Sequence, residues 1–472
     1  MESNTPIILA IDQGSGSTKA LAINLYGQVI DQSEVKINST FPNPGWVEQD
    51  PEEIWRSVVA AARSISSKHN ISAVGLSVQR ESVLFWDKET GAALTPVITW
   101  QDRRASDLAQ SHESMASTVK RISGLNLDPM FSALKAQWLL ENSNIGDIPN
   151  LALGTIDSWI AFKLGAGHII EVGSASRTQL LDLQSGDWSP ELLKIFNINP
   201  AILPTVFPSD AVHLCTDMSQ LGVPAEIPLS GIMGDSHAAL FAHQGWRGNN
   251  FKATFGTGTS LMGLTREKPE TIAWSLDGKI THAVEANILS TGSTLVWVAK
   301  LLSTTPEALA SLAENSTEQI EIIPAFSGLG APFWDRDAIG IISGLTLGTS
   351  AADLAAAALR ATANQINDVI ENFADSKVEI EILLADGGGA RNAYLMQLIA
   401  DITGKQIRSS KILELSAFGA AQVAALGANL LTFEDLASIT LDYDEYLPKL
   451  NDKDRQEQLN SWRRALNQSR IK

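Results

Sequence analysis

Apolar and polar positions alternate along this chain in two rhythms. The first run, "IILAID" from Ile7, is apolar and ends in an acid. A Gly/Ser turn follows, then "KALAINL", a second turn at "YGQ", and "VIDQSEVKI". Short apolar runs separated by turn residues predict an antiparallel meander rather than a strand feeding directly into a helix. "DPEEIWRSVVAAARSISSKHN" then predicts a helix, with Asp50 as N-cap, Pro51 at the first helical position and acids in the first turn. "ISAVGLSVQ" reads as a buried strand, "ALKAQWLLEN" as a helix, and "LGTIDSWIAFKLGAG" as one further apolar segment closing the first half.

The same grammar returns near residue 250. "NNFKATFGTGTSLMGLT" is again strand, Gly/Thr turn, strand, and "VEIEILLADGGGARNAYLMQLIADITG" is a buried strand whose Gly-rich turn opens a helix. Between them "SAADLAAAALRATANQINDVIENFA" predicts a long helix, with Leu354, Leu359, Ile366, Val369, Ile370 and Phe373 on or near one stripe. The pattern predicts two α/β domains of similar design, residues 1–245 and 246–472, joined near "HQGWRGNN".

Bulk properties narrow the partners. The 472 residues exceed one ordinary core, and the 44% hydrophobic and 19% charged fractions fit a globular protein. A formal charge of −18 argues against a nucleic-acid groove or docking on an anionic membrane. Cys215 is the single cysteine, which forbids an intrachain disulfide and fits a reducing compartment. The start "MESNTPIILAIDQG" has no basic segment leading an apolar core, and no later stretch approaches a membrane-spanning length. A cytoplasmic protein is the expectation.

The opening hairpin carries Asp12, Gly14, Gly16, Ser17, Thr18 and Lys19. A Walker A loop is excluded because Thr18 precedes Lys19 and Ala20 follows, and the dinucleotide fingerprint because Lys19 takes the place of its third Gly. What remains suits phosphate: glycines admit backbone N–H groups, hydroxyls add donors, Lys19 neutralises charge, and a carboxylate at the strand end can hold hydrated Mg²⁺. A plain polar hairpin would carry the same residues. "FGTGTS" is a second such turn, and "ADGGGARN" leads three glycines into a helix, a geometry that suits nucleotide phosphates or adenosine. Three such turns in one chain point to a nucleotide. In "GIMGDSHAAL", Asp235 is either a helix N-cap or a general base for a hydroxyl attacking a γ-phosphate, and His237 reads as structural. Arg80 and Glu81 in "VQRES" and Trp100 in "ITWQDRR" suit a polyhydroxylated molecule, the ions bonding hydroxyls while the indole covers carbons; singly, each fits a salt bridge or core aromatic equally well.

Taken together, "DQGSGSTKA", "PGWVEQDPEEIW", "VQRES", "ITWQDRR", "LDPMFSALKAQW", "GTIDSWI", "SRTQLLDL", "GDSHAALF", "FGTGTS", "IPAFSGLGAPFWD", "ISGLTLG" and "DGGGARNAYLMQ" resemble, in this order, the FGGY carbohydrate kinases, and within them the glycerol kinases most. The likeness runs from about Ile8 to Gly427. It implies two actin-like, ribonuclease-H-like α/β ATPase domains flanking a cleft that closes to exclude water. It also implies ATP and Mg²⁺ as cofactors, with the nucleotide on the C-terminal domain and a small polyol or sugar on the N-terminal one. A homodimer or homotetramer is compatible with it. Position by position, Asp235 matches the catalytic base and Asp12 the Mg²⁺-side carboxylate. Ser15, Gly16, Ser17 and Lys19 match the phosphate hairpin, Thr257 and Gly258 the second turn, Gly292 a nucleotide contact, and Gly388, Gly389 and Asn392 the adenosine side. Arg80, Glu81 and Trp100 match acceptor-site residues.

The departures bear on the acceptor. Glycerol kinases usually have Tyr at the place of Met130, Gln at that of Ser236 and Phe at that of Ser260. These changes imply a roomier pocket of different polarity, so a four- or five-carbon polyol or ketose stands beside glycerol as the expected acceptor. The Gly-Gly-x-Arg loop associated with fructose-1,6-bisphosphate inhibition is replaced by "SQLGVPAEIP". Arg360 occupies a position where the family usually has an acid.

Overall fold

The computed structural model describes residues 5–146, 148–375 and 377–470. Its contacts divide the chain into two units. The first comprises Met1–Ala242, Lys268–Ala283 and Glu414–Thr440, the second His243–Glu267, Val284–Leu413 and Leu441–Lys472. Two segments beyond the expected junction at residue 245 therefore belong to the first unit.

The first unit is built on a five-stranded sheet in the order Leu229–Gly234, Ile71–Val78, Ile7–Gln13, Ser17–Asn24, Val29–Lys36. The last three strands form the antiparallel meander that the turn residues predict, while Ile71–Val78 lies parallel to both Ile7–Gln13 and Leu229–Gly234. Register sets Asp12 opposite Lys19 on one side and Ser77 on the other. The acid of the opening run thus sits at the carboxyl ends of the parallel strands, where open α/β sheets bind ligands.

One face of this sheet packs on the helix Pro51–Ser66, whose N-cap Asp50 accepts from the Glu52 N–H and whose first residue is proline. The helix Leu415–Gly427 also packs against its strands. Here the approach is backbone to backbone: a Cβ on Gly75 would lie 2.4 Å from the Ala420 carbonyl oxygen, and one on Gly231 2.4 Å from the Ala424 nitrogen. A smaller four-stranded sheet within the first unit carries a second apolar cluster that includes Phe85, Leu134, Leu153 and Phe196. The apolar stretch after residue 152, expected as one segment, is two elements. The strand Leu151–Thr155 turns directly into the helix Ile156–Lys163, where Thr155 takes an extended backbone and ends the strand.

The second unit repeats the plan. The hairpin Asn250–Phe255 and Thr259–Leu264 is antiparallel, and Asn250–Phe255 pairs in parallel with Ile382–Asp386, which in turn pairs with Gln406–Ser410. The predicted long helix spans Ala351–Asp375, and Leu359, Ile366, Val369, Ile370 and Phe373 all lie in the core of this unit. An earlier helix of this unit, Gly292–Leu301, begins against the Gly/Thr turn. Arg360, on the long helix, donates to the Ile320 carbonyl at 2.9 Å and offsets the charge of buried Glu321. That is the physical reason for a cation at this position. Among the described residues no helix is long and apolar enough to cross a membrane.

Candidate active site

Asp235 opens the helix Asp235–Ala242 straight from the end of the strand Leu229–Gly234. Its Oδ1 accepts from the Ser236 N–H at 2.6 Å and from Arg80 Nε at 3.2 Å, and Ser416 Oγ donates to its main-chain carbonyl. The carboxylate is therefore oriented by its own helix start and by a guanidinium, yet its side chain keeps 39% of its surface open. An oriented, accessible carboxylate is the geometry of a base that takes a hydroxyl proton.

Arg80 is buried after the strand Ile71–Val78, and its Nη1 lies 3.4 Å from His237 Nε2. His237 is wholly buried, in keeping with a structural role. Glu81 follows with a left-handed backbone (φ 64°), an uncommon state for a residue with a Cβ. It is held there by both ends: Ser132 Oγ donates to its carbonyl at 2.9 Å, and Arg177 Nε to its Oε1 at 2.6 Å. Arg177 itself stacks over the Phe131 ring. The string "SRTQLLDL" contributed to the resemblance, but only the folded chain shows that its arginine grips Glu81.

Trp100 is 37% exposed, and its indole Nε1 donates to Ser15 Oγ at 2.9 Å. Ser15 Oγ lies 3.4 Å from Gln79 Oε1, and Gln79 Nε2 donates to Gln13 and Gln49, so a buried amide network fixes the hairpin's base. Met130 is half-buried at the turn preceding the helix Ser132–Asn142, its N–H donating to Asp128. Asp12, Arg80, Glu81, Trp100, Met130, Asp235 and Ser236 all belong to the first unit.

Lys19 does not stand free on its hairpin. Its ammonium bridges both oxygens of Glu414, at 2.7 and 2.9 Å, a partner 395 residues away. Ser77 Oγ donates to Asp12 Oδ1 at 2.8 Å, but burial pushes the Asp12 carboxyl up to about 7, and Asp235 and Glu414 raise it further while Lys19 opposes them. Three carboxylates close enough to repel make this a site of concentrated negative potential, which a cation would relieve. Ser17 opens its strand, and around Gly16 an added Cβ would meet nothing within 4 Å.

In the second unit, the turn at Thr257 and Gly258 is locked to the start of the helix Gly292–Leu301. The Thr291 and Ser293 N–H groups donate to the Thr257 carbonyl at 3.2 and 2.9 Å, and a Cβ on Gly292 would fall 2.2 Å from the Gly256 carbonyl oxygen. Gly389 packs against Phe255, whereas Gly388 has no atom within 4 Å of an added Cβ and is open. Asn392 Oδ1 caps the helix Ala393–Thr403 by accepting from Leu395 N–H. Asp386, just before the glycines, receives His243 Nε2 at 3.0 Å and is held below the usual carboxylate range by that contact and by Lys252, against the opposing effect of its burial. Ser260 Oγ donates to Glu285 Oε1 at 3.0 Å. Nothing local in the sequence announces Glu414, Arg177, His243 or Glu285, because each acts through a partner distant in the chain.

Among the described residues no group of three or more His, Cys, Asp or Glu side chains is arranged to hold a metal ion by itself. Magnesium on a nucleotide seldom needs one, since phosphates and water fill most of its six positions and the protein supplies one or two carboxylates. Asp12 fits that requirement.

The fold of two repeated α/β units agrees with the family comparisons. The FGGY family of carbohydrate kinases matches with its N-terminal domain over residues 7–242 and its C-terminal domain over residues 251–428. The chain belongs to this family, and is a phosphotransferase with an alcohol group as acceptor. It is 37% identical to a glycerol kinase of Aquifex aeolicus, over 98% of both chains, and 36% identical to an apulose kinase of Pectobacterium atrosepticum, over 99% of both. Among solved structures, glycerol kinase of Plasmodium falciparum with ADP superposes with a TM-score of 0.92 at 27% identity, covering 99% of each chain.

Proposed function

We propose that this chain transfers the γ-phosphoryl group of ATP to a terminal hydroxyl of glycerol or a similar small polyol or sugar, acting in the cytoplasm. The observation that carries this reading is the Asp235 carboxylate, fixed by Arg80 at 3.2 Å yet open to a ligand. Asp235 orients the acceptor hydroxyl and takes its proton as the oxygen attacks. Arg80 and Glu81 bond the remaining hydroxyls, Trp100 covers the carbon chain, and Met130 and Ser236 bound its far end. Ser15, Gly16, Ser17 and Lys19 on the first hairpin, and Thr257 and Gly258 on the second, hold the phosphates. Gly292, Gly388, Gly389 and Asn392 take the rest of the nucleotide. Asp12 would hold Mg²⁺, through water or directly; when bound, the ion offsets charge on the transferring phosphoryl group.

A second reading has an observation in its favour. The hydroxyl of Ser260, where glycerol kinases usually have Phe, is paired with the Glu285 carboxylate. A hydroxyl paired with a carboxylate in place of an apolar ring favours a more hydroxylated acceptor, a four- or five-carbon polyol or ketose. The apulose kinase relative supports the same direction.

Both readings are tested by measuring ADP release with glycerol, erythritol, ribitol, xylulose, ribulose and apulose. The Asp235→Asn variant should lose on the order of 10²–10⁴ in turnover on the best acceptor while binding ATP nearly as tightly as the wild type. Near-normal turnover in that variant would remove Asp235 from the role of base.

A further inference from the structure

Lys135 has no solvent exposure, yet its side chain ends in an amine. A buried polar group is costly unless its donors meet acceptors, and a methionine or leucine would fill the same volume of core at lower cost. Its two recorded contacts explain the lysine: Nζ donates to the Met130 carbonyl at 2.6 Å and to the Thr99 carbonyl at 3.1 Å. The Thr99 carbonyl belongs to the same peptide unit as the Trp100 nitrogen, whose N–H donates to Ser82 Oγ. One amino group therefore ties together the backbone of the two loops that carry Trp100 and Met130.

Ser132 lies one turn earlier on the same helix, Ser132–Asn142, at the i, i+3 spacing that puts two side chains on one face. Its hydroxyl holds the Glu81 carbonyl at 2.9 Å, next to the left-handed backbone of that residue. Burial draws the Lys135 pKa down to about 7, with Arg103 acting in the same direction and Glu81, Asp102 and Asp128 opposing it. Three residues assigned to the acceptor are thus gripped by their backbones from a single helical turn.

We propose that Lys135, with Ser132 beside it, is a positioning residue that sets the spacing of Glu81, Trp100 and Met130 and thereby the size of acceptor the enzyme takes. The inference rests on the acceptor role given to those three residues above.

The test is steady-state kinetics of Lys135→Met and Ser132→Ala across the acceptor series, with the melting temperature of each variant. Lys135→Met should raise the acceptor KM roughly tenfold and narrow the ratio of kcat/KM between glycerol and five-carbon acceptors, while kcat and the KM for ATP change less than about threefold. Ser132→Ala, a small truncation that spares the helix, should shift the acceptor KM in the same direction by about threefold. An unchanged acceptor KM and selectivity in either folded variant overturns the inference. So does a parallel rise of both KM values with a lowered melting temperature, the signature of a role in folding alone. If Lys135→Met does not fold, Ser132→Ala decides by the same criteria. A wild-type enzyme that phosphorylates none of the acceptors overturns the functional reading and this inference with it; an active wild type with unaltered variants overturns this inference alone.

Discussion

At the scale of single residues, the acids of this chain divide by their partners. Asp235 is paired with Arg80 and left partly open, while Asp368, in the core of the second unit, has the Trp462 indole N–H at 2.8 Å as a neutral donor. Burial, with Glu371 nearby, pushes the Asp368 carboxyl up to about 7 against the weaker pulls of the Trp462 hydrogen bond and Arg463. Its folded pKa then lies above its unfolded one, so the folded state holds the proton more tightly. The stability this contributes is complete below pH 4 and is lost as pH rises towards 7. Asp368→Asn keeps an oxygen for the indole and never ionises, so it should match the wild type near pH 4 and exceed it by roughly 1–3 kcal/mol at pH 8. Urea unfolding at the two pH values checks this; equal stability of the two proteins at pH 8 would contradict it. Asp235, Arg80 and Trp100 were legible as candidates because an acid, a cation or an indole beside a turn is unusual chemistry for its place. Asp368 was not, since in sequence it is a polar residue within a helical stripe.

At the scale of elements, Gly292 and Gly388, both matched to the nucleotide side by the resemblance, differ in what surrounds them. Gly292 is required by close approach, because the helix start and the Gly/Thr turn meet backbone against backbone. Gly388 is open on the side where its Cβ would be. Gly292→Ala should therefore destabilise the protein by about 1–3 kcal/mol, through overpacking, as well as weaken nucleotide binding. Gly388→Ala should leave the melting temperature within about 1 °C, since single exposed substitutions rarely move stability, while raising the KM for ATP severalfold. Differential scanning calorimetry with and without ATP separates the two. A Gly388→Ala enzyme with unaltered nucleotide affinity would take that glycine out of the site. Hairpins and helix starts were readable because glycine, proline and capping residues act within a few positions. Which glycine bears a neighbour's backbone was not, because the neighbour comes from elsewhere in the chain.

For the molecule as a whole, the first unit is not a continuous stretch of sequence. Its sheet is covered by the helix Leu415–Gly427, which approaches Gly75 and Gly231 without side chains between, and Ser230 Oγ donates to the Ala424 carbonyl at 2.8 Å. A fragment of residues 1–245 lacks this helix and exposes the face that it covers. Such a fragment is expected to show no cooperative unfolding transition by circular dichroism, and a sharp transition would mean that the covering helix is dispensable. The chain of 472 residues, which contains this helix, should show a sharp unfolding transition under the same conditions.

The sequence by itself determined the repeated strand–turn–strand episodes, the Gly-rich turns and the order of motifs that marks an FGGY carbohydrate kinase. These are local signals: backbone freedom, capping and apolar periodicity act over a few residues, and they survive without knowledge of the fold. Only the tertiary structure decided that Lys19 is paired with Glu414, that Arg177 holds Glu81, and that the helix Leu415–Gly427 completes the first unit. Pairings across 395 residues leave no periodicity in the chain, because charge and packing depend on distance in space and not on separation along the backbone.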